Sequence, residues 1–451
     1  MNLTEKQFES DIEYSLLTYG GYAKGDAKAF DRTVALDVGT LISFVKDTQP
    51  KSWEKYETIY GTSCEKSFVE RFCKEVRSLG LLSVLRHGFK DRGITFRVVY
   101  WKPETSINQT AQAQYERNVL HCTRQLHYSV SNENSIDIVL FLNGIPVVSM
   151  ELKNQFTGQD NDNAIRQYKF DRASKDTIFE FKNRVLVHFA VDLYNVFMTT
   201  CLQGQATRFM PFNQGSNGAG NDGGKGNPAN PDGYPTAYLW EDVLRKESAL
   251  DIIQKFIHCK DNKTLIFPRF HQLDVVRKLI ADVRQNGTGV NYLIQHSAGS
   301  GKSNSIAWTA YRLASLHDEY NKPVFSSVVI VTDRTVLDRQ LQDTISSFDH
   351  TLGTVETIGE GKTSKDLRDA LNNGSRIIVT TLQKFPVIYQ EVENTKGKGF
   401  AIIVDEAHSS QTGDAAKKLK RALADTERLL EEYAEFDSED EAQREEKQDK
   451  L

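Results

Sequence analysis

Cysteine is scarce: five residues, Cys64, Cys73, Cys122, Cys201 and Cys259, in a chain of 451. They are odd in number, scattered and never spaced as CxxC. That excludes a disulfide framework and a cysteine zinc site, and fits reduced thiols in a cytoplasmic setting. Long apolar stretches are missing too. No run of about 18 apolar residues occurs, so no membrane span is expected. The start, Met1-Asn2-Leu3-Thr4-Glu5-Lys6, lacks the apolar core of a signal peptide. Net charge is small, −5, and unevenly placed: residues 425–451 hold 12 acidic and 4 basic side chains, a net of −8, which leaves +3 for residues 1–424. Acidity therefore belongs to the tail, and the mildly basic body permits an anionic polymer as partner. What is present, 39% hydrophobic and 26% charged residues, is the composition of an ordinary globular protein long enough for two or three domains.

The most informative stretch is Asn291-Tyr292-Leu293-Ile294-Gln295-His296-Ser297-Ala298-Gly299-Ser300-Gly301-Lys302-Ser303. The apolar run 290–294 predicts a buried strand, the small residues a loop, and Ser303 to Ala314 a helix. A strand, a glycine loop, Lys-Ser and a helix wrap a polyphosphate. Loop amides and the helix N-terminus face the anion, Lys302 reaches the β- and γ-phosphates, and the Ser303 hydroxyl can ligate Mg²⁺. Gly299 and Gly301 let the backbone approach closely, with Ser300 between them. His296 stands where the usual pattern has its first glycine. About a hundred residues on, the apolar run Phe400–Val404 ends in Asp405-Glu406-Ala407-His408. There Asp405 can hold Mg²⁺ through water and Glu406 can activate the attacking water. The two motifs together predict ATP and Mg²⁺ as cofactors. Arg269 and Gln272, in the lead-in Pro268-Arg269-Phe270-His271-Gln272, are placed to contact the adenine and its surroundings. Strands at Ser327–Thr332 and Ile377–Thr381 alternate with helices, as a parallel sheet requires. From about Ala415 one charged helix is expected to run into the tail.

The first half reads less directly. Thr4 caps a helix whose apolar face is Phe8, Ile12, Leu16 and Leu17, ended by Gly20-Gly21. Glu9 lies off that face, as a solvated residue or a helix-borne metal ligand. Thr95–Trp101 is expected to be a strand and Ala111–Leu126 a helix. Then Ser135-Ile136-Asp137-Ile138 through Val148-Ser149-Met150-Glu151-Leu152-Lys153 forms a hairpin about Asn143-Gly144. Strand period puts Glu151 and Lys153 on one face. With Asp137 they could bind a metal and stabilise a pentavalent phosphate, as phosphodiester hydrolysis requires. The plain alternative is a surface strand with a salt-bridged pair. A regular two-residue turn would set Asp137 opposite Met150, on the wrong face for Glu151. A shared site therefore predicts an irregularity in the hairpin. Residues 163–173 read as an amphipathic helix. Asn213 to Pro235, rich in Gly, Asn, Pro and Asp, is expected to be a long flexible loop.

These motifs, His296 through Ser303, Asp405-Glu406-Ala407-His408-Ser409-Ser410-Gln411-Thr412-Gly413 and Gly144-Ile145-Pro146 with Glu151-Leu152-Lys153-Asn154, resemble the restriction subunit of type I restriction–modification systems. The resemblance implies an α/β chain: a PD-(D/E)xK-type endonuclease domain over 1–245, with its loop near 213–235, then the first RecA-like lobe of a superfamily 2 helicase motor over 246–424. Residues 425–451 would be an acidic helical tail. The family places a second motor lobe after the first, so the chain is expected to hold the nuclease site and half of an ATP site. It implies catalytic Asp137, Glu151 and Lys153, Mg²⁺-dependent cleavage of double-stranded DNA, ATP-driven translocation, and methyltransferase and specificity subunits as partners. It also accounts for His296, common there in the family. Relatives often have Gln four residues before Tyr in the helix after the site; here Ala164 stands four before Tyr168, with Gln167 adjacent. Other nuclease–helicases, such as type III or repair enzymes, and an inactive nucleotide-binding module docked on a methyltransferase are the competing readings.

Overall fold

The computed structural model describes residues 4–405 except 155–157, 262, 298, 333–340, 343, 346–347, 349–354, 359–361 and 382–398. It divides into two compact units between His271 and Gln272.

The first unit is built on a mixed seven-stranded sheet. Its strands are β1 (Ala23–Lys24), β2 (Leu120–His127), β3 (Ser135–Leu142), β4 (Ile145–Leu152), β5 (Val187–Val191), β6 (Val196–Thr199) and β7 (Met210–Pro211), in that spatial order. β1 runs parallel to β2 and β4 parallel to β5; the other neighbours are antiparallel. Every residue of β4 and all of β3 but its first are buried, which is why both read as unbroken apolar runs with only a few polar interruptions. Parallel β4 and β5 need a crossover, and α3 (Asn161–Phe170) supplies it, capped by Asp160. Helix α1 (Glu5–Thr18) starts as expected, the Thr4 side chain accepting from Gln7 N–H at 3.2 Å.

Two expectations are corrected here. The helix predicted over Ala111–Leu126 stops early: α2 spans Gln109–Glu116. Asn118 ends it, its carboxamide bonding Tyr115 O and both backbone groups of Tyr100. Residues 120–127 then become β2, paired along β3 from Leu120 opposite Leu142 to His127 opposite Ser135. The strand predicted over Thr95–Trp101 is reduced to Ile94–Phe96, half of a small hairpin with Phe89–Asp91. That hairpin belongs to an insertion with four helices (Val38–Thr48, Pro50–Tyr60, Cys64–Leu79 and Leu81–His87), and the aromatic residues Trp53, Tyr56, Phe68, Phe72, Phe89 and Phe96 of helices and hairpin pack in tilted and edge-to-face pairs. Residues 213–235 form a loop, closed on itself by Gly215 N–H to Gly226 O at 2.8 Å and tied to β6 by the Asn213 side chain.

The second unit contains α4 (Phe270–Asn286) from Gln272 onward, α5 (Lys302–Ala314), α6 (Ser364–Asn373) and a four-stranded parallel sheet. The strands are β8 (Ser327–Thr332), β9 (Val355–Thr357), β10 (Ile377–Thr381) and β11 (Phe400–Val404), in the spatial order β9-β10-β8-β11. β8, β10 and β11 have the bounds read from the sequence. The strand expected at 290–294 is absent. These residues pair with no described strand, and Leu293 is 87% exposed. An apolar run becomes a strand only by completing a ladder, and this one has none among the described residues.

Candidate active site

The β3–β4 turn has Asn143 at φ 51° and Gly144 at φ 82°. Pairing leaves it as a regular two-residue hairpin, Leu142 opposite Ile145 and Phe141 opposite Pro146. The register then shifts: Leu140 faces Val148, Val139 faces Ser149 and Ile138 faces Met150. Val147 is the extra residue. Pro146 beside it has no N–H for the ladder, and proline inside a sheet sits at such bulges. One step further on, Asp137 comes opposite Glu151, so the two carboxylates share a face. Pro146 is the signal in the sequence that locates the irregularity.

All three residues are buried: Asp137, Glu151 and Lys153. Asp137 Oδ2 accepts from Leu152 N–H at 2.7 Å, which fixes the carboxylate against the end of β4. Glu151 Oε1 accepts from Arg172 Nε at 2.7 Å, while its Oε2 is buried with no hydrogen-bond partner among the described residues. Lys153 Nζ donates to Glu5 Oε1 at 3.2 Å and to Leu152 O at 2.9 Å. Burial, and after it the charge of Asp137, pushes the Glu151 carboxyl up to about 8, against the pull of Arg172.

Helix α1 adds two acids. Glu9 is not a solvated residue: it is 4% exposed, with Oε2 accepting from Arg124 Nη2 at 3.0 Å and Oε1 from Gln125 Nε2 at 2.8 Å. Burial and the Asp137 charge raise its pKa, and Arg124 opposes them. Carboxylate oxygens of Glu5, Glu9 and Asp137 lie within 4.8 Å of one another. Beneath the site Ser149 Oγ bonds the Tyr168 hydroxyl and His188 Nδ1, each at 2.8 Å. Burial lowers His188 to about 3, so its imidazole is neutral. Arg172, Glu5, Arg124 and Gln125 were not legible as site residues, because each meets the carboxylates only through the fold.

In the second unit Gly299 (φ 72°) and Gly301 (φ 87°) take left-handed conformations, and α5 begins at Lys302, so Lys302 and Ser303 occupy its first turn. Gln272 is buried against the loop, its Nε2 donating to Ser300 O at 3.2 Å and Gly301 O at 3.0 Å. Asp405 follows β11, its N–H donating to Val331 O at 3.0 Å. Arg269 lies before the division, half-buried. Glu406 and the residues from Ala415 onward, where a charged helix is expected, fall outside the described residues.

Strand-end carboxylates with a neighbouring lysine, followed by a glycine-loop lobe with a parallel sheet, define an α/β chain that joins a nuclease-type domain to the first lobe of a superfamily 2 helicase. Residues 92–207 match the family described as type I restriction enzyme R protein N terminus, and residues 271–429 match the SWI2/SNF2 ATPase family. Two segments of the chain are thus similar to the R proteins of type I restriction enzymes and to SWI2/SNF2 ATPases. It is 25% identical over 350 residues to the MjaVIIIP endonuclease subunit of Methanocaldococcus jannaschii, covering 68% of this chain and 31% of the relative. To the type I restriction enzyme SauCOLORF180P endonuclease subunit of Staphylococcus aureus it is 24% identical over 311 residues, covering 68% and 30%. The chain thus spans about a third of the length of these relatives. Among solved structures, the UvsW helicase of bacteriophage T4 matches 40% of this chain and 56% of its own at 19% identity, with a TM-score of 0.28. Among the described residues no helix is long and apolar enough to cross a membrane.

Proposed function

We propose that the chain is the endonuclease portion, residues 1–245, and the first motor lobe, residues 246–424, of a type I restriction subunit. It would cleave double-stranded DNA with Mg²⁺, coupled to ATP-driven translocation in a cytoplasmic complex with methyltransferase and specificity subunits. One observation carries the nuclease reading. The bulge at Val147 turns Asp137 to the face of Glu151, where a buried carboxylate oxygen has no partner among the described residues. Arg172 pairs with the other oxygen, and a buried carboxylate oxygen left without a partner is costly unless a proton or a cation completes it. The donor set is all oxygen, which suits Mg²⁺.

Asp137 and Glu151 would hold the ion, with Glu9 and Glu5 of α1 as further carboxylates close to Asp137. When bound, the ion supplies Lewis-acid polarisation of the scissile phosphate and an activated water. Lys153, on the same strand face, is the cation that stabilises charge building on the phosphate; Glu5 holds its Nζ until then. In the second unit Gly299, Ser300, Gly301, Lys302 and Ser303 would cradle the ATP phosphates, with Ser303 and Asp405 as Mg²⁺ ligands and Glu406 activating water. Arg269 and Gln272 would serve the adenine side, Gln272 also bracing the loop.

The test is cutting of unmethylated DNA by the assembled complex with ATP and Mg²⁺. Asp137→Ala, Glu151→Ala and Lys153→Ala should each abolish cutting while ATP hydrolysis persists. Full cutting by Glu151→Ala overturns the reading.

A further inference from the structure

Gln125 has a backbone conformation that its side chain must justify. In β2, Arg124 lies opposite Ile138 and Leu126 opposite Ile136, and the ladder is interrupted between them. There Gln125 has φ 48°, in the left-handed region where Gly is free of penalty and Asn and Asp are the favoured alternatives. Glutamine has no such preference. Residues held in this region against their preference cluster where the surrounding structure uses the strain.

The use here is visible in the contacts. Gln125 Nε2 donates to Glu9 Oε1 at 2.8 Å and to Asp137 Oδ1 at 3.2 Å. Its Oε1 accepts from Ser135 Oγ at 2.8 Å, two residues before Asp137. One amide group thus joins a carboxylate of α1 to a carboxylate of β3, across sequence separations of 116 and 12 residues. The charge of Asp137 raises the pKa of Glu9, so the two acids repel when both are ionised. Arg124 holds the other oxygen of Glu9. An asparagine would keep the backbone at lower strain, but it is one methylene shorter and could not span the two acids from the same Cα.

We infer that Gln125 is a positioning residue whose carboxamide holds Glu9 and Asp137 at the spacing of a shared divalent-cation site. The inference rests on the metal-nuclease reading above. The left-handed backbone points the side chain back across the strand end toward α1, and the glutamine length closes the gap. The residue does not touch substrate; it acts through the two carboxylates.

The experiment measures Mn²⁺ affinity of the 451-residue chain by electron paramagnetic resonance, with the melting temperature taken with and without Mn²⁺. The variants are Gln125→Gly, which keeps the backbone and removes the amide, Gln125→Asn, which keeps the backbone and shortens the reach, and Asp137→Ala. Gln125→Gly and Gln125→Asn are expected to weaken Mn²⁺ by about tenfold and to shrink the metal-induced rise in melting temperature, whatever the melting temperature of the metal-free chain. If Gln125→Gly does not fold, Gln125→Asn decides. Wild-type Mn²⁺ affinity in the folded Gln125 variants, with loss in Asp137→Ala, overturns the positioning role and leaves the metal site standing. Wild-type affinity in Asp137→Ala overturns the metal-site reading itself.

Discussion

Arg172 Nε donates to Glu151 Oε1 at 2.7 Å, and the two side chains are 3% and 0% exposed. Arg172 also donates through Nη2 to Ser135 O at 2.7 Å and lies over the Tyr128 ring. One guanidinium therefore ties the start of β3 to the acid near the end of β4 and partly neutralises it. Its removal leaves a buried carboxyl without its cation. Arg172→Ala is expected to destabilise the first unit by about 3–5 kcal/mol. Arg172→Lys keeps the charge but loses the forked geometry, and should cost less. Urea denaturation of the metal-free chain measures both, and a loss under ~1 kcal/mol in Arg172→Ala would contradict a structural pairing.

Two buried groups give opposite pH dependences. His188 is lowered by burial to about 3 from 6.5, so its contribution is complete above about 6.5 and is lost as pH falls toward 3. Glu151 is raised to about 8 from 4.5, by burial first and Asp137 next, so its contribution is complete below 4.5 and is lost as pH rises to about 8. Each changes stability by up to ~1.4 kcal/mol per pH unit within its window. Relative to wild type, His188→Gln should gain stability on going from pH 8 to pH 5, and Glu151→Gln on going from pH 5 to pH 8. Melting curves of the metal-free chains at the two pH values check the sign; parallel shifts in both variants would refute it.

The turn residues carry more than a reversal of direction. A Cβ at Gly144 would lie 2.3 Å from Asp37 O and 2.8 Å from Leu41 N, and the backbone there is left-handed. Asn143 is fully buried, its Oδ1 accepting from Val119 N–H at 2.7 Å and its Nδ2 donating to Val98 O at 2.8 Å. Gly144→Ala is expected to cost about 2–4 kcal/mol from overpacking and strain. Asn143→Ala should cost about 1–3 kcal/mol per polar group it orphans. Wild-type melting temperatures in either variant would show that the turn is not packed in this way.

Nucleotide binding isolates the second unit. Gly299 and Gly301 already hold left-handed conformations, and Lys302 opens α5. The chain should bind ATP weakly in the presence of Mg²⁺, and Lys302→Ala should remove that binding without altering Mn²⁺ affinity at Asp137. Unchanged ATP binding in Lys302→Ala, followed by fluorescent-nucleotide titration, would place the phosphates elsewhere.

The sequence by itself determined the elements whose pattern is local. β8, β10 and β11 carry the bounds read from their apolar runs; β8 and β10 are buried throughout, as inner strands of a parallel sheet covered on both faces need no polar alternation. Thr4 marked the start of α1, and Asn143-Gly144 marked the hairpin, because caps and tight turns are satisfied within a few residues. Only the tertiary structure decided the rest. Leu120–His127 continues a helical run by propensity but finds a ladder with β3, so it is a strand. Val290–Ile294 looks like a strand and finds no partner among the described residues. Glu9 is separated from Arg124 by 115 residues and Glu151 from Arg172 by 21, and no periodicity records which buried acid meets which cation. Charge compensation is a property of proximity in space, so it appears only when the chain has folded.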